Sequence, residues 1–317
     1  MKKYIYILPI IMVLFLSGCA TVNQPSVTAL PEDKPNISKT ILADEDYSLK
    51  RKVSIVRFSN ETQYGQGNLF NNNDNKISLQ AMDILSTKLA KSDCVLLFER
   101  PEIDEENFKT QAGIDSMNFA SDYIIIGSVS EFGRKATSKV GIFSRSKRQT
   151  ASAKVNIRLV NIKTGQIIYA EEGSGEAFSE VGTVFGAGSH AGYDSSLNDN
   201  ALDSAISKLV SNIVENLLNE PWKSYVLDVE VNSIIISGGV SQKINIGDIF
   251  QIKKRGKLVK NPQTGIEIEL PGEKIGLIKV KSFYGKSPIE EISYCDLIEG
   301  NLEGILLQEI YVEEVEQ

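Results

Sequence analysis

The chain is poor in the residues that carry chemistry. Its 317 residues hold one histidine, three cysteines and one tryptophan. The lone histidine, His190, sits in a glycine-rich stretch with nothing beside it at metal-ligand spacing, so it reads as a loop residue rather than a zinc ligand. No Gly-x-Ser-x-Gly elbow and no P-loop occurs. Gly182, Gly186 and Gly188 lack the Lys-Ser/Thr that a P-loop needs, and Gly65-Gln-Gly67 is weak evidence for a phosphate site. Without a catalytic constellation, the expectation is a chain that is not an enzyme and holds no cofactor and no metal. A positive excess is also missing. Lys and Arg number 34 against 41 Asp and Glu, a net charge of −7, which argues against a nucleic-acid partner. Cysteine is too scarce for a disulfide framework. Cys94 lies in the apolar run Cys94-Val-Leu-Leu-Phe98 and Cys295 far away in a second domain, so two buried thiols are expected rather than one bridge.

What is present begins at the amino terminus. Lys2 and Lys3 precede an apolar run from Tyr4 to Leu16, too short for a comfortable membrane span and laid out as a secretory signal. Leu16-Ser17-Gly18-Cys19 closes it and is similar to a bacterial lipoprotein signal. Small residues let the peptidase close on the chain, and the Cys19 thiolate takes the lipid. Several acyl chains such as palmitate, at ~0.8 kcal/mol per buried methylene, make such an anchor permanent. Ala20, not Asp, follows, as in outer-membrane lipoproteins. Cys19→Ala is therefore expected to release the protein from the membrane fraction or to block its processing. A variant that matures and stays in the membrane pellet unchanged would show that something other than lipid holds it.

Residues 20–50 read as a flexible tether, with Pro25, Pro31 and Pro35 among polar residues and a root-mean-square span of ~30 Å. Residues 51–221 read as the first domain. Lys52-Val-Ser-Ile-Val-Arg-Phe58 alternates as a strand. Ile77, Ala81, Ile84, Leu85 and Leu89 recur at helical spacing, Cys94–Phe98 is a buried strand and Glu105–Asn118 a further helix. Tyr123–Phe132 is a third strand, and 152–172 a hairpin turned by Lys163-Thr164-Gly165. Ala201, Ala205, Leu209, Ile213 and Leu217 form one row, and Leu202, Ile206, Val210, Val214 and Leu218 the next, giving one wide stripe on a long helix that Pro221 ends. The order predicts an α+β fold, an α/β layer on a mixed sheet. Two polar excursions, 129–159 and 171–197, leave its core as extended hairpins.

Residues 222–317 show short strands, frequent turns and almost no helical period, which predicts a small all-β domain, an SH3-like barrel or a sandwich. Gly247-Asp248 with Asn261-Pro-x-Thr-Gly265 is similar to the carboxy-terminal β module of some flagellar outer-membrane lipoproteins. The acidic tail Glu309–Gln317 reads as an edge strand or a frayed end.

Two segments carry a wider resemblance. Gly127-Ser128-Val129, an excursion, and then Val155-Asn-Ile-Arg-Leu-Val-Asn-Ile-Lys-Thr-Gly-Gln-Ile167 follow in the order seen in the curli secretion channel family (CsgG/HfaB), which the chain resembles over roughly residues 50–220. The resemblance implies lipoprotein subunits in a homo-oligomeric outer-membrane ring. Each subunit would add two hairpins to a shared barrel that exports unfolded polypeptide, with accessory periplasmic proteins as partners. A narrowing loop would fall on Tyr64–Asn73, where Asn68, Asn72 and Asn73 take the key positions with Leu69 and Phe70 beside them. The family's aromatic residues are missing at those three positions.

The residues test this barrel independently. A spanning strand needs roughly 9–11 residues, apolar outward and polar inward. Ala151, Ala153, Val155, Ile157 and Leu159 alternate with Ser152, Lys154, Asn156 and Arg158. Arg134 to Thr150, however, holds six bases and no acid, and in sequence parity Arg134 and Arg148 fall on one side with Lys135, Lys139, Arg145 and Lys147 on the other. Two readings stand: a curli-type export channel, or a lipid-anchored periplasmic scaffold of the same fold whose hairpins stay in water.

Overall fold

The computed structural model describes residues 28–29, 48–62, 76–99, 121–140, 144–184, 187–188, 196–230, 233–260, 262–263 and 267–315. Two sheets organise them. The first contains β1 (Thr28–Ala29), β2 (Arg51–Asn60), β3 (Val95–Glu99), β4 (Tyr123–Val140), β5 (Ser144–Asn161), β6 (Ile167–Val184) and β7 (Ala187–Gly188). Its order is β1-β6-β5-β4-β2-β3, with β7 also on β6. β2 runs parallel to β3 and β4, and the other pairs are antiparallel. The sheet is mixed, as its pattern predicts. Helices α1 (Lys76–Lys91) and α2 (Ser196–Asn219) supply the helical layer. The further helix expected at 105–118 lies outside the described residues.

The packing follows from periodicity. Ala81, Leu85 and Leu89 of α1 are buried without exposure, and so are Ala201, Leu202, Ala205, Ile206 and Ile213 of α2. They meet Val53, Ile55, Ile125, Val155, Ile157 and Leu159 in one core. Alternate strand residues and i, i+4 helix rows thus bury the same surface.

The excursions are arranged differently from the expectation of two separate hairpins. β4 and β5 pair without interruption from Tyr123↔Asn161 to Val140↔Arg145. β6 follows β5 from Val160↔Ile167 out to Ser144↔Val184. The outgoing limb of the second excursion is therefore a third strand laid on the first. Among the described residues only β7 turns back, for two residues, and α2 begins at Ser196. Gly173 and Gly175 on this third strand let α2 sit directly against it.

The second sheet contains β8 (Lys223–Ser224), β9 (Val226–Glu230), β10 (Ser233–Ser237), β11 (Ile249–Lys254), β14 (Glu273–Tyr284), β15 (Ile292–Gly300) and β16 (Ile310–Glu314). Between β11 and β14, β12 (Leu258–Lys260) and β13 (Glu267–Glu269) form a separate ribbon. The order is β8-β16-β11-β14-β15-β10-β9. The strands at its two ends are joined by Tyr225 alone, so the sheet curls to bring its edges together. Trp222 anchors this core, 5.0 Å from the Phe250 ring, with Ile236, Ile252, Ile278, Cys295 and Val312 around it. Within the tail, Ile310–Glu314 is an inner strand rather than an edge, since β16 pairs with β11 on one side and β8 on the other. Cys94 and Cys295 are free, buried and in different cores.

The two sheets meet at the start of β2. Leu49 belongs to the second core, and the Lys50 N–H donates to the Gln242 carbonyl at 3.1 Å. Arg51 is 4% exposed. Its guanidinium donates to the Leu49 carbonyl at 2.7 Å, to the Glu220 carbonyl at 2.7 and 3.1 Å, and to the Glu314 carboxylate at 3.0 Å. That same carboxylate accepts the Trp222 N–H at 2.7 Å. Burial lowers the Arg51 pKa, and Glu314 opposes the shift. Burial also pushes the neighbouring Tyr123 hydroxyl up to about 12. One arginine thus ties the first sheet, the end of α2 and the last strand.

Candidate functional site

The feature that distinguishes this molecule is the blade formed by β4, β5 and β6. Each strand has 18 residues, a length of roughly 60 Å at the rise of an extended chain. α2 covers one face of its lower part. Ala151, Ala153, Val155 and Ala177 are buried there, and Phe132, Gln149 and Ser179 with them. A Cβ placed on Gly173 would lie 2.4 Å from the Ala205 carbonyl oxygen, and one on Gly175 2.3 Å from that of Ala201. Helix backbone thus rests directly on strand backbone, an approach only glycine permits.

Above this contact the described side chains turn to solvent. Lys135, Ala136, Thr137, Ser138, Lys139, Lys147, Arg148 and Glu180 are all exposed. The register regroups the bases relative to the parity in the sequence. The ladder shifts between Val129 and Glu131, and Thr137 then faces Arg148, and Lys139 faces Ser146. Cross-strand neighbours share a face, so Lys135, Lys139 and Arg148 lie on the open face and Arg134 and Lys147 on the helix face. The extra residue at the shift is why sequence parity misassigns them. Arg134 donates to the Gln149 side-chain oxygen at 3.0 Å, and the Arg148 guanidinium lies 4.2 Å from the Phe178 ring centroid. Neither face of the blade tip carries an apolar band among the described residues.

The two edges of the blade differ in charge. β2 pairs with β4 only as far as Asn60↔Val129, and among the described residues nothing pairs with the outer side of β4 from Glu131 to Val140. That edge carries Lys135 and Lys139. At the other edge, β1 and β7 each cover two residues of β6, which carries Glu172, Glu176 and Glu180 on the same open face. Between the edges, Lys154 donates to Glu131 at 2.8 Å and lies 3.9 Å from Glu172. The Glu131 hydrogen bond, then its charge, raises the Lys154 pKa. At the base of the open face is a polar hollow of about 430 Å³ between Arg57, Glu61, Asn156 and Arg158.

The residues that the resemblance marks fall outside the described residues: Cys19 and the loop positions Asn68, Leu69, Phe70, Asn72 and Asn73. The flanks of that loop are described. Thr62 ends the segment after β2, its N–H and hydroxyl donating to the Asn60 side-chain oxygen at 3.0 and 2.7 Å, and Lys76 begins α1. β2 ends beside Val129, so the loop leaves the sheet where the blade begins to project. Sequence reasoning missed the paired edge charges and Arg51. The first needs the register. The second needs a partner at the far end of the chain.

Comparison with known proteins gives the same direction. The model of the family described as "Curli production assembly/transport component CsgG" matches residues 36–246. A Neisseria meningitidis serogroup B protein named as a lipoprotein is 29% identical over 190 residues, covering 58% of this chain and 80% of that protein. Among solved structures, the hypothetical protein CT253 from Chlamydia trachomatis is similar with TM-score 0.32 and 17% identity, covering 54% of this chain and 96% of that one. The PelC dodecamer from Paraburkholderia phytofirmans gives TM-score 0.26 and 16% identity, covering 60% of this chain and 96% of that one. At such scores these structural likenesses carry no inference about assembly. The family match spans well over half of the sequence, and the chain belongs to the CsgG family of curli production assembly/transport components.

Proposed function

We propose that this protein is an outer-membrane lipoprotein subunit, held by lipid on Cys19, that joins copies of itself into a ring for the export of unfolded polypeptide. The observation that carries the reading is the blade: three long strands, with no strand among the described residues on the outer side of β4 beyond Val129. An unpaired edge is a template for another strand, and soluble proteins normally cover or blunt it. Lys135 and Lys139 on β4 complement Glu172, Glu176 and Glu180 on β6, so copies set side by side oppose unlike charges. In this reading Asn68, Leu69, Phe70, Asn72 and Asn73 line the narrow point, and accessory periplasmic proteins attend the ring. The role is non-enzymatic and involves no nucleic acid. Residues 51–221 build the ring and the SH3-like barrel of 222–317 meets partners.

One observation favours a second reading, an anchored periplasmic scaffold of the same fold. The blade tip carries bases on both faces, and a Lys or Arg facing lipid at mid-depth costs ~2–4 kcal/mol. The test is Ser146→Cys, with Phe143→Cys beside it. A spanning blade places these sites outside, where a membrane-impermeant maleimide labels them on intact cells. Cys94 and Cys295 are buried and supply little background. Labelling only after the outer membrane is opened would overturn the channel and leave the scaffold.

A further inference from the structure

The exposed large apolar side chains of this protein are unevenly spread. Among the described residues, all but Leu79 and Ile167 lie beyond Trp222, on the second sheet and its loops. Part of them gather where the curled sheet fails to close. Ile234 is 3% exposed and faces Val229 across the β9–β10 ladder, yet Val229 is 40% exposed. Leu297, two residues on from the fully buried Cys295, is 41% exposed. The inner face of the barrel therefore opens to solvent at this end. The opening is a cavity of about 680 Å³ with Ile234 and Leu302 at its floor, Val229 and Leu297 on its walls and Glu230 and Glu303 at its rim. Leu227 of β9 and Ile298 of β15, the strands that carry Val229 and Leu297, are exposed as well.

We infer that this barrel mouth is a docking site for an extended segment of another polypeptide that carries apolar side chains between lysines or arginines. The cavity is lined about equally by apolar and by polar or charged side chains; pockets that combine apolar walls with convergent polar groups are typical binding sites, and barrel mouths are one of their usual places. Exposed apolar side chains on both flanking strands, Leu227 and Ile298 beside Val229 and Leu297, suit a chain segment better than a small molecule. The charge of the occupant follows from the rim. Asp296 there is held by Lys281 at 3.2 Å, whereas the Glu230 and Glu303 carboxylates have no ion pair among the described residues. A cationic flank finds two open carboxylates, and an anionic one is repelled. One β9 amide, the Val229 N–H, is already taken by the Asp228 carboxylate at 2.8 Å, which favours a side-chain contact over strand addition at that position. This inference is independent of whether the blade spans a membrane.

The test uses the full-length protein in detergent and two fluorescent probe peptides, Lys-Leu-Val-Leu-Lys and Glu-Leu-Val-Leu-Glu, with acetylated and amidated ends. The lysine probe should bind at least about tenfold more tightly in a fluorescence anisotropy titration, and raising salt should weaken it. Glu230→Lys with Glu303→Lys should reverse the preference. Leu297→Ser should weaken the lysine probe about tenfold. The rim residues are exposed, and the salt series on the unaltered protein stands even if a variant misfolds. Equal binding of both probes, no binding of either, or indifference to the rim changes overturns the inference. So does a rim variant that alters the size of the assembly, since a second copy would then be what covers the mouth.

Discussion

Valine at position 175 should unseat α2 and cost the fold more than 3 kcal/mol, a large share of the ~5–15 kcal/mol that holds an ordinary domain together. The argument is geometric. A Cβ on Gly175 lies 2.3 Å from the Ala201 carbonyl oxygen, 2.4 Å from the Ala205 amide nitrogen and 2.9 Å from Ser204 Cβ. Two of these atoms are helix backbone and cannot turn aside as a flexible side chain would. Overpacking a core costs about 1–3 kcal/mol where side chains can yield. Here the helix itself must lift, and it carries the buried Leu202, Ile206, Leu209 and Ile213 with it. Gly133→Val is the control. It lies on the same blade, and its Cβ would meet only the Ser152 hydroxyl, at 3.6 Å. It should change stability by no more than ~0.5 kcal/mol. Urea unfolding followed by circular dichroism checks both. Equal effects at the two positions would mean that the helix is not held by this contact.

Arg51→Ala should cost ~3–5 kcal/mol, the usual penalty for breaking a buried ion pair by removing one partner. The loss leaves the Glu220 and Leu49 carbonyls without their donor and the Glu314 carboxylate without its cation. Adding Glu314→Leu should cost less than a separate change there, because the carboxylate it removes is already stranded. The two sheets share this side chain, so the variant should also unfold in two steps where the unaltered chain unfolds in one. Calorimetry reads both. A single transition with a loss below ~1 kcal/mol would show that the seam is held by Leu49 and its neighbours instead.

The sequence was readable where burial is periodic. Val155, Ile157 and Leu159 alternate, the α2 rows recur every four residues, and the structure buries those same faces. It was misleading where small residues do the packing. Gly173 and Gly175 resemble the start of a loose loop, since glycine marks turns more often than contacts. Their role shows only beside Ala201, Ser204 and Ala205, small residues at matching spacing on the helix that follows. The outer half of β4 was hidden for another reason. Lys135 to Lys139 has no apolar period, and its strand conformation comes from the ladder with β5, which is legible only through the partner. Nothing near Arg51 in the sequence announces its burial, because its partners are Glu220 and Glu314.

The distance between Arg51 and Glu314 has a kinetic meaning. They stand 263 positions apart, almost the whole chain. Contacts of such span form late, since closing the intervening loop must precede any gain from the contact. The last strand, β16, lies inside the second sheet, so that sheet waits for it too. A chain emerging amino terminus first can build most of the first sheet early and still hold an unanswered cation at its base until the final residues arrive. Completion is thus reported at the beginning of the fold by its end. A chain cut before Glu314 would lose the partner of Arg51 at the start of β2 and leave the second sheet open between β8 and β11.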